Sequence, residues 1–328
     1  VISQVPIKNI NDAVVAIDKE ANIATVSISQ GRYLNKNDGK FGSYRERRIQ
    51  SFFNVMLSNR LRELAQLPQP PFLGASSGVK NLVAQYQEFN SLAAIGKAGV
   101  QNALEALMRE NKRVAQFGFS EAEFERAKSN ALRNMEDAYK EREKSQSAEL
   151  ASEFIRNFLV GEAIPGIEAE YAFHQVIMKQ ISLDDVNQFA RTILVNQEPK
   201  LIVYQGNDKP DHVIPDSQEL MEMVKRAEQV AVTAYIEKKT VATLMDAPPQ
   251  AGNIINEVKD PKLGTTTWTL SNGVTLVMKP SDFKNDQILL GASRAGGMSM
   301  VADTDFLQAR YATTIVGVMG MKDIAPME

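Results

Sequence analysis

Between Ile49 and Leu64 an apolar side chain returns every third or fourth residue: Ile49, Phe52, Phe53, Met56, Leu57, Leu61 and Leu64. That spacing places all of them on one face of an α-helix. Ser43 and Glu46 have the spacing of a capping box and predict the helix start. The three prolines of "LPQPPFLG" end it, because proline lacks an amide donor and pushes its predecessor out of the helical region. A helix with one broad apolar stripe must bury it against another layer. Arg45, Arg47, Arg48, Arg60 and Arg62 flank the stripe among acidic residues, so they read as a solvated basic face rather than a ligand-binding cluster.

The second layer is suggested by short β-branched runs. "AVVAID" and "NIATVSISQG" read as strands ahead of the helix, and "NKNDGKFG" as a loop. After the prolines, "FLGASSGV" has the look of a turn, and "NLVAQYQEFNSLAAIG" reads as extended, in a hairpin with the segment before it. Residues 99 to 116 suit a helix with Ala103, Leu104, Leu107 and Met108 inward, closed by Gly118. Ser120 and Glu123 form a second capping box before a long helical region, 121 to about 159. Its two apolar stripes, Phe124 to Tyr139 and Leu150 to Leu159, are separated by "KEREKSQSAE", which is either exposed helix or a break into two helices. Helices follow at 167–180 and from Ser182 and Asp185 to about Leu194, then a strand in "PKLIVYQG", then a helix capped by Asp216 and Glu219. The order predicts an α+β layered domain, helices packed on a mostly antiparallel sheet, over residues 1–236.

From 237 to 264, "DAPPQAG" and "KDPKLG" have linker composition. A second domain is expected over 265–328. It opens on "LSNGVTLVMKP", where Asn272 and Gly273 between alternating segments signal a hairpin. "DQILLGASRAGG" reads as a third strand, and Asp303 as the cap of a helix from 304 onward. Three strands and one helix bury a sheet poorly. The expectation is therefore a domain cut short, in a fragment of a longer protein; Val1 in place of Met points the same way.

The chain has no cysteine, which excludes disulfides, thiolate metal sites and thiol catalysis. Its formal net charge of −3 gives nucleic acid no bulk attraction, and no aromatic is interleaved with a basic patch. No run approaches the length of a membrane-spanning helix, and no signal peptide is visible. Two histidines are present, without metal-site spacing. His174 sits among apolar helix residues and reads as structural; His212, near Asp208 and Asp211, reads as a loop residue. Asp184, Asp185, Asp303 and Asp305 are explained by helix first turns. "GASSG" lacks the phosphate-loop ending, and "SRAGGMS" reads as a strand exit rather than an anion nest. The residues alone point to no catalytic site and no cofactor.

Three long segments carry a resemblance. "SYRERRIQSFFNVMLSNRLRELAQLPQPPFLGASSG" (43–78), "FSEAEFERAKSNALRNMEDAYKEREK" (119–144) and "TTWTLSNGVTLVMKPSDFKNDQILLGASRAGG" (266–297) resemble, in order, parts of the second and third domains of the pitrilysin/insulinase zinc peptidases in their long bacterial form. The resemblance implies four related α+β domains in two halves, joined by a linker and closing around a peptide. It implies zinc held by a His-x-x-Glu-His helix and a further Glu, in a domain upstream of Val1. In the truncated copy, "DFLQARYATTI" stands where a catalytic domain would carry that motif. Gln308, Ala309, Arg310, Tyr311 and Ala312 occupy its five positions, so Gln308 and Ala312 replace the histidines and Tyr311 the glutamate. No zinc is expected here, and Arg310 and Tyr311 are not the family's substrate-contacting pair, which is expected further downstream.

The resemblance implies a non-catalytic wall of a peptide chamber, partnered by the missing domains of the same chain and by polypeptide substrate. The alternative is a structural or interaction subunit of an inactive family member. The compartment stays open between periplasm and cytoplasm, with periplasm favoured by any upstream signal peptide.

Overall fold

The computed structural model describes residues 10–33, 41–83, 86–195, 199–208, 213–237, 245, 247–284 and 287–321. The chain divides into two compact units, 1–237 and 238–328. In the first, strands β1 (Asp12–Ile17) and β2 (Thr25–Tyr33) precede helix α1 (Phe41–Ala65). Strands β3 (Gly74–Val83) and β4 (Tyr86–Ala94) lead to α2 (Gly99–Phe117) and α3 (Glu121–Lys140). After a 3-10 turn (Arg142–Lys144) come α4 (Ser147–Val160), α5 (Ile167–Gln180), α6 (Leu183–Leu194), β5 (Leu201–Gly206) and α7 (Ser217–Gln229).

The five strands form one sheet in the order β1-β5-β2-β4-β3. Only the β1–β5 pair is parallel. The register aligns rows of side chains on one face: Ala75, Ala93, Val26, Tyr204 and Val15 make one, and Ser77, Ser91, Ile28, Ile202 and Ala13 the next. Val26, Ile28, Ile202 and Tyr204 are buried with Leu104 and Leu107 of α2 and Leu220 and Val224 of α7. A second apolar cluster joins Phe52, Phe53, Met56 and Leu57 of α1 to Phe89, Phe124, Ile177 and Val186. Leu61, one turn further along α1, belongs to the first cluster. The stripe from Ile49 to Leu61 thus threads both clusters; each such side chain gains roughly 1.5–3 kcal/mol on burial.

Local sequence signals and tertiary packing disagree in several places. Ser43 lies inside α1, which already begins by Phe41, so it is not the cap. "GASSG" is not a turn but the start of β3, because packing overrides its turn composition. Ser77 Oγ lies 2.7 Å from Ser91 Oγ across the ladder. Gly78 leaves room for Asn54 of α1, where a Cβ would come within 2.7 Å of the Asn54 amide oxygen. Asn54 accepts from the Val79 N–H at 2.8 Å and donates to the Val79 carbonyl at 2.9 Å, clamping helix to strand. "KEREKSQSAE" is a break, turning at 142–144. The stripe after it is no core face: α4 has no buried residue, and Phe158 is 87% exposed. The boxes at Ser120/Glu123, Ser182/Asp185 and Asp216/Glu219 are all formed.

The second unit holds a three-stranded antiparallel sheet, β6 (Ile254–Asp260), β7 (Thr265–Leu270) and β8 (Thr275–Met278), and helix α8 (Phe306–Val318). The hairpin at Asn272–Gly273 forms, with Gly273 at φ +84° and the Leu270 N–H donating to the Val274 carbonyl. Residues 254–260, expected in the linker, are instead strand β6, paired along β7; Trp268 Nε1 donates to Glu257 across that ladder at 2.7 Å. The third strand expected in "DQILLGASRAGG" is absent among the described residues, where Ile288, Leu289 and Leu290 are exposed and no neighbouring strand supplies a ladder. Asp303 does not cap α8: it starts a 3-10 turn (Asp303–Asp305) ahead of the helix. No described residue of this unit is buried, as the small strand count leads one to expect.

Arg60 contradicts the solvated basic face most sharply, being 2% exposed. Its Nε and Nη2 donate to both oxygens of Glu123 at 2.7 and 2.8 Å, Nη1 reaches Glu110 at 3.3 Å, and Nη2 also meets the Gly118 carbonyl at 3.1 Å. Burial alone would lower its pKa, but Glu123 and Glu110 outweigh that and hold it above the ordinary value. Removing one member of such a set strands the others in a dry interior. Arg60→Met is expected to cost about 3–5 kcal/mol of unfolding free energy, read from urea denaturation of the whole chain. A loss below about 1 kcal/mol, typical of an exposed pair, would contradict the assignment.

Candidate functional site

Helix α8 carries the five positions where the resemblance places a zinc motif. Gln308, Tyr311 and Ala312 share one exposed strip with Leu307, Ile315 and Val316. Positions 308 and 312 are one turn apart, the geometry two metal-binding imidazoles would need. The side chains are an amide and a methyl, and Tyr311 brings a phenol where zinc hydrolysis uses a carboxylate base. These residues do not fit a zinc ion. Among the described residues no group of three or more His, Asp or Glu side chains is placed to hold a metal.

The other candidates are scattered. His174 on α5 is 1% exposed, and the Tyr44 hydroxyl lies 3.0 Å from its Nδ1. Arg48 stacks over the Tyr44 ring at 5.0 Å. Burial, and then the Arg48 charge, push the His174 pKa below its ordinary value, against a smaller raising effect from the Ala131 backbone. It is a neutral structural imidazole, packed rather than presented. His212 and Asp211 lie outside the described residues; Asp208 is exposed. Asp185 completes the capping box that Ser182 opens on α6, accepting from the Ser182 N–H and hydroxyl, and pairs with Arg45 at 2.7 Å. Those hydrogen bonds and Arg45 hold its carboxyl below the usual range in spite of its desolvation. Asp184 faces Arg191 at 3.5 Å. Arg62 reaches Asn59 on its own helix. Arg47 and Arg48 thus share the Tyr44 ring, while Arg45, Arg60 and Arg62 serve separate contacts. In "SRAGGMS", Gly296 and Gly297 both take positive φ and turn the chain into the 3-10 segment Met298–Met300, so the strand exit is not formed.

Sequence reading missed a groove of about 580 Å³ between the first turns of α3 and α6. Glu121, Glu125, Asp184 and Lys128 line it, with Lys128 Nζ over the Phe124 ring. It brings no nucleophile–base pair together. Its only sequence signal was the pair of capping boxes that bound it.

No family model matches the chain. A curated relative, "Zinc protease PQQL-like" of Arabidopsis thaliana, is 27% identical over 284 residues, 86% of this chain and 27% of its own length. The chain is similar to zinc proteases of the pitrilysin/insulinase family, and that likeness supports the family. Among solved members, the periplasmic protease PqqL of Escherichia coli superposes with a TM-score of 0.63 at 18% identity, covering 85% of this chain and 31% of that one. The ferredoxin protease FusC, solved as a mutant with Arabidopsis ferredoxin, gives 0.59 at 16%, covering 98% of this chain and 36% of that one. At these identities the two structures establish the shared α+β fold. The chain spans about a quarter to a third of the length of these family members. Among the described residues no helix is long and apolar enough to cross a membrane.

His174 gives a pH test. Its folded-state pKa lies below the unfolded value of about 6.5, so below that pH the unfolded chain binds more protons than the folded one. The associated stability is fully present above about pH 6.5 and falls as pH drops toward the folded value. His174→Gln is expected to flatten the loss of unfolding free energy between about pH 7.5 and 5.5 relative to wild type. Parallel pH profiles for the two proteins would show that His174 is not the group responsible.

Proposed function

We propose that this chain is the non-catalytic middle of a longer zinc metalloendopeptidase, with its first unit walling the chamber that receives polypeptide substrate. One observation carries this: the chain matches family peptidases over most of its length, yet offers Gln308, Tyr311 and Ala312 at its copy of the motif. The parent's zinc is held by a His-x-x-Glu-His helix in an upstream domain, and the parent's other domains are this chain's partners. The linker expected over 237–264 includes β6, which belongs to the second unit. An extended peptide can add to an open sheet edge, and the first sheet has two, β1 and β3. The ferredoxin complex of FusC supports a polypeptide as substrate class. The periplasmic site of PqqL supports the same compartment for the parent.

The chain alone is expected to hydrolyse no peptide and to retain no stoichiometric zinc. Metal content after dialysis, beside cleavage of a mixed fluorogenic peptide library, measures both. Turnover that appears only when the upstream region is supplied is the expected result. One tightly held zinc per chain, with turnover abolished by chelation, would overturn the proposal.

A further inference from the structure

Beyond α7 the chain has no regular structure up to Glu237, yet it is fastened at four levels. Lys112 Nζ donates to the carbonyls of Glu228 and Val230 at 2.9 and 2.8 Å, and Arg113 Nε to the carbonyl of Thr233 at 2.9 Å. The Tyr235 hydroxyl donates to both oxygens of Glu63 on α1, at 3.1 and 2.9 Å, and its ring lies 4.2 Å from the Arg60 guanidinium. Glu237 closes the series, accepting from Arg126 at 2.5 Å and from the Ser120 hydroxyl at 3.0 Å. The segment therefore crosses α2, α1 and the start of α3 in turn. Carbonyls of an irregular segment ordinarily turn to water; here Lys112 and Arg113 of α2 collect those of Val230 and Thr233.

We infer that residues 230–237 are a strap, which covers the buried Arg60 cluster and fixes the point at which the chain leaves the first unit. Tyr235 is its central fastening. Its ring faces the guanidinium that Glu110 and Glu123 neutralise, so lifting the ring admits water to a charge that is otherwise dry. Glu237 is the outer fastening, on a partly exposed ion pair that salt screens. A displacement of the chain beyond Glu237 thus reaches α1 and α2 only after the outer pair has opened. The strap belongs to the first unit whatever the parent enzyme does, so it stands apart from the peptidase proposal.

Chymotrypsin cleaves after Tyr235 or after a phenylalanine in its place, and a nick there requires the strap to lift. In the folded full chain the nick, followed by mass spectrometry, is expected to form about tenfold more slowly in wild type than in the Lys112→Met/Tyr235→Phe double variant. Should that variant fail to fold by circular dichroism, Arg126→Met tests the same point. It is expected to speed the nick severalfold, and raised salt to do so in wild type, with the thermal midpoint nearly unchanged. Equal rates of nicking in wild type and in the folded variants, with no response to salt, would overturn the strap.

Discussion

A guanidinium taken out of water must be neutralised and hydrogen-bonded where it sits, and the first unit is arranged so that Arg60 is. Arg60 falls on α1 between Leu57, in one apolar cluster, and Leu61, in the other. Glu123 answers it from α3 and Glu110 from α2, so three helices meet at one charge. Glu123 also accepts from the Ser120 N–H at 2.8 Å, completing the box that starts α3. One carboxylate thus sets both where a helix begins and how far it lies from α1. Arg113 binds the second oxygen of Glu110 and, through Thr233, the strap.

Much of the fold was legible because its causes are local. The α1 stripe, the three formed capping boxes and the Asn-Gly hairpin depend on residues a few positions apart, and each appears as read. Arg60 was misread because its partners lie 50 and 63 positions away, and in sequence it is one arginine among five. "GASSG" misled for a related reason: small residues signal a turn locally, but here they admit Asn54 and pair with Ser91. In β6, Ile254, Ile255 and Val258 gave too weak an alternation to outweigh the flanking Pro and Gly; the strand is defined by its partner β7. The α4 stripe was read as core from periodicity, which reports a shared face and not what covers it.

The candidate site was legible as a substitution and not as a constellation. The resemblance sets 308 to 312 against the family motif, and the structure puts Gln308, Tyr311 and Ala312 on an exposed strip of α8 with apolar neighbours. His174 illustrates the converse. A lone histidine on an apolar helix invites a functional reading, yet its ring is packed under Tyr44 beside Arg48 and kept neutral by burial. Among the described residues, the buried Arg60, Glu110 and Glu123 join three helices, and the strap is fastened beside them.

The central physical claim is that α1 and the Arg60 cluster make the first unit one cooperative body in spite of its two apolar clusters. Native-state amide hydrogen exchange tests it directly, with Leu220→Ala as a perturbation confined to the first cluster, the one around Ile202, and to α7. If the account is right, the slowest amides around Phe53 in α1 and around Ile202 in β5 share one opening free energy, and the substitution lowers both by the same amount, about 2–5 kcal/mol. If the amides near Ile202 lose protection while those near Phe53 keep theirs, the two clusters open separately and the account is wrong.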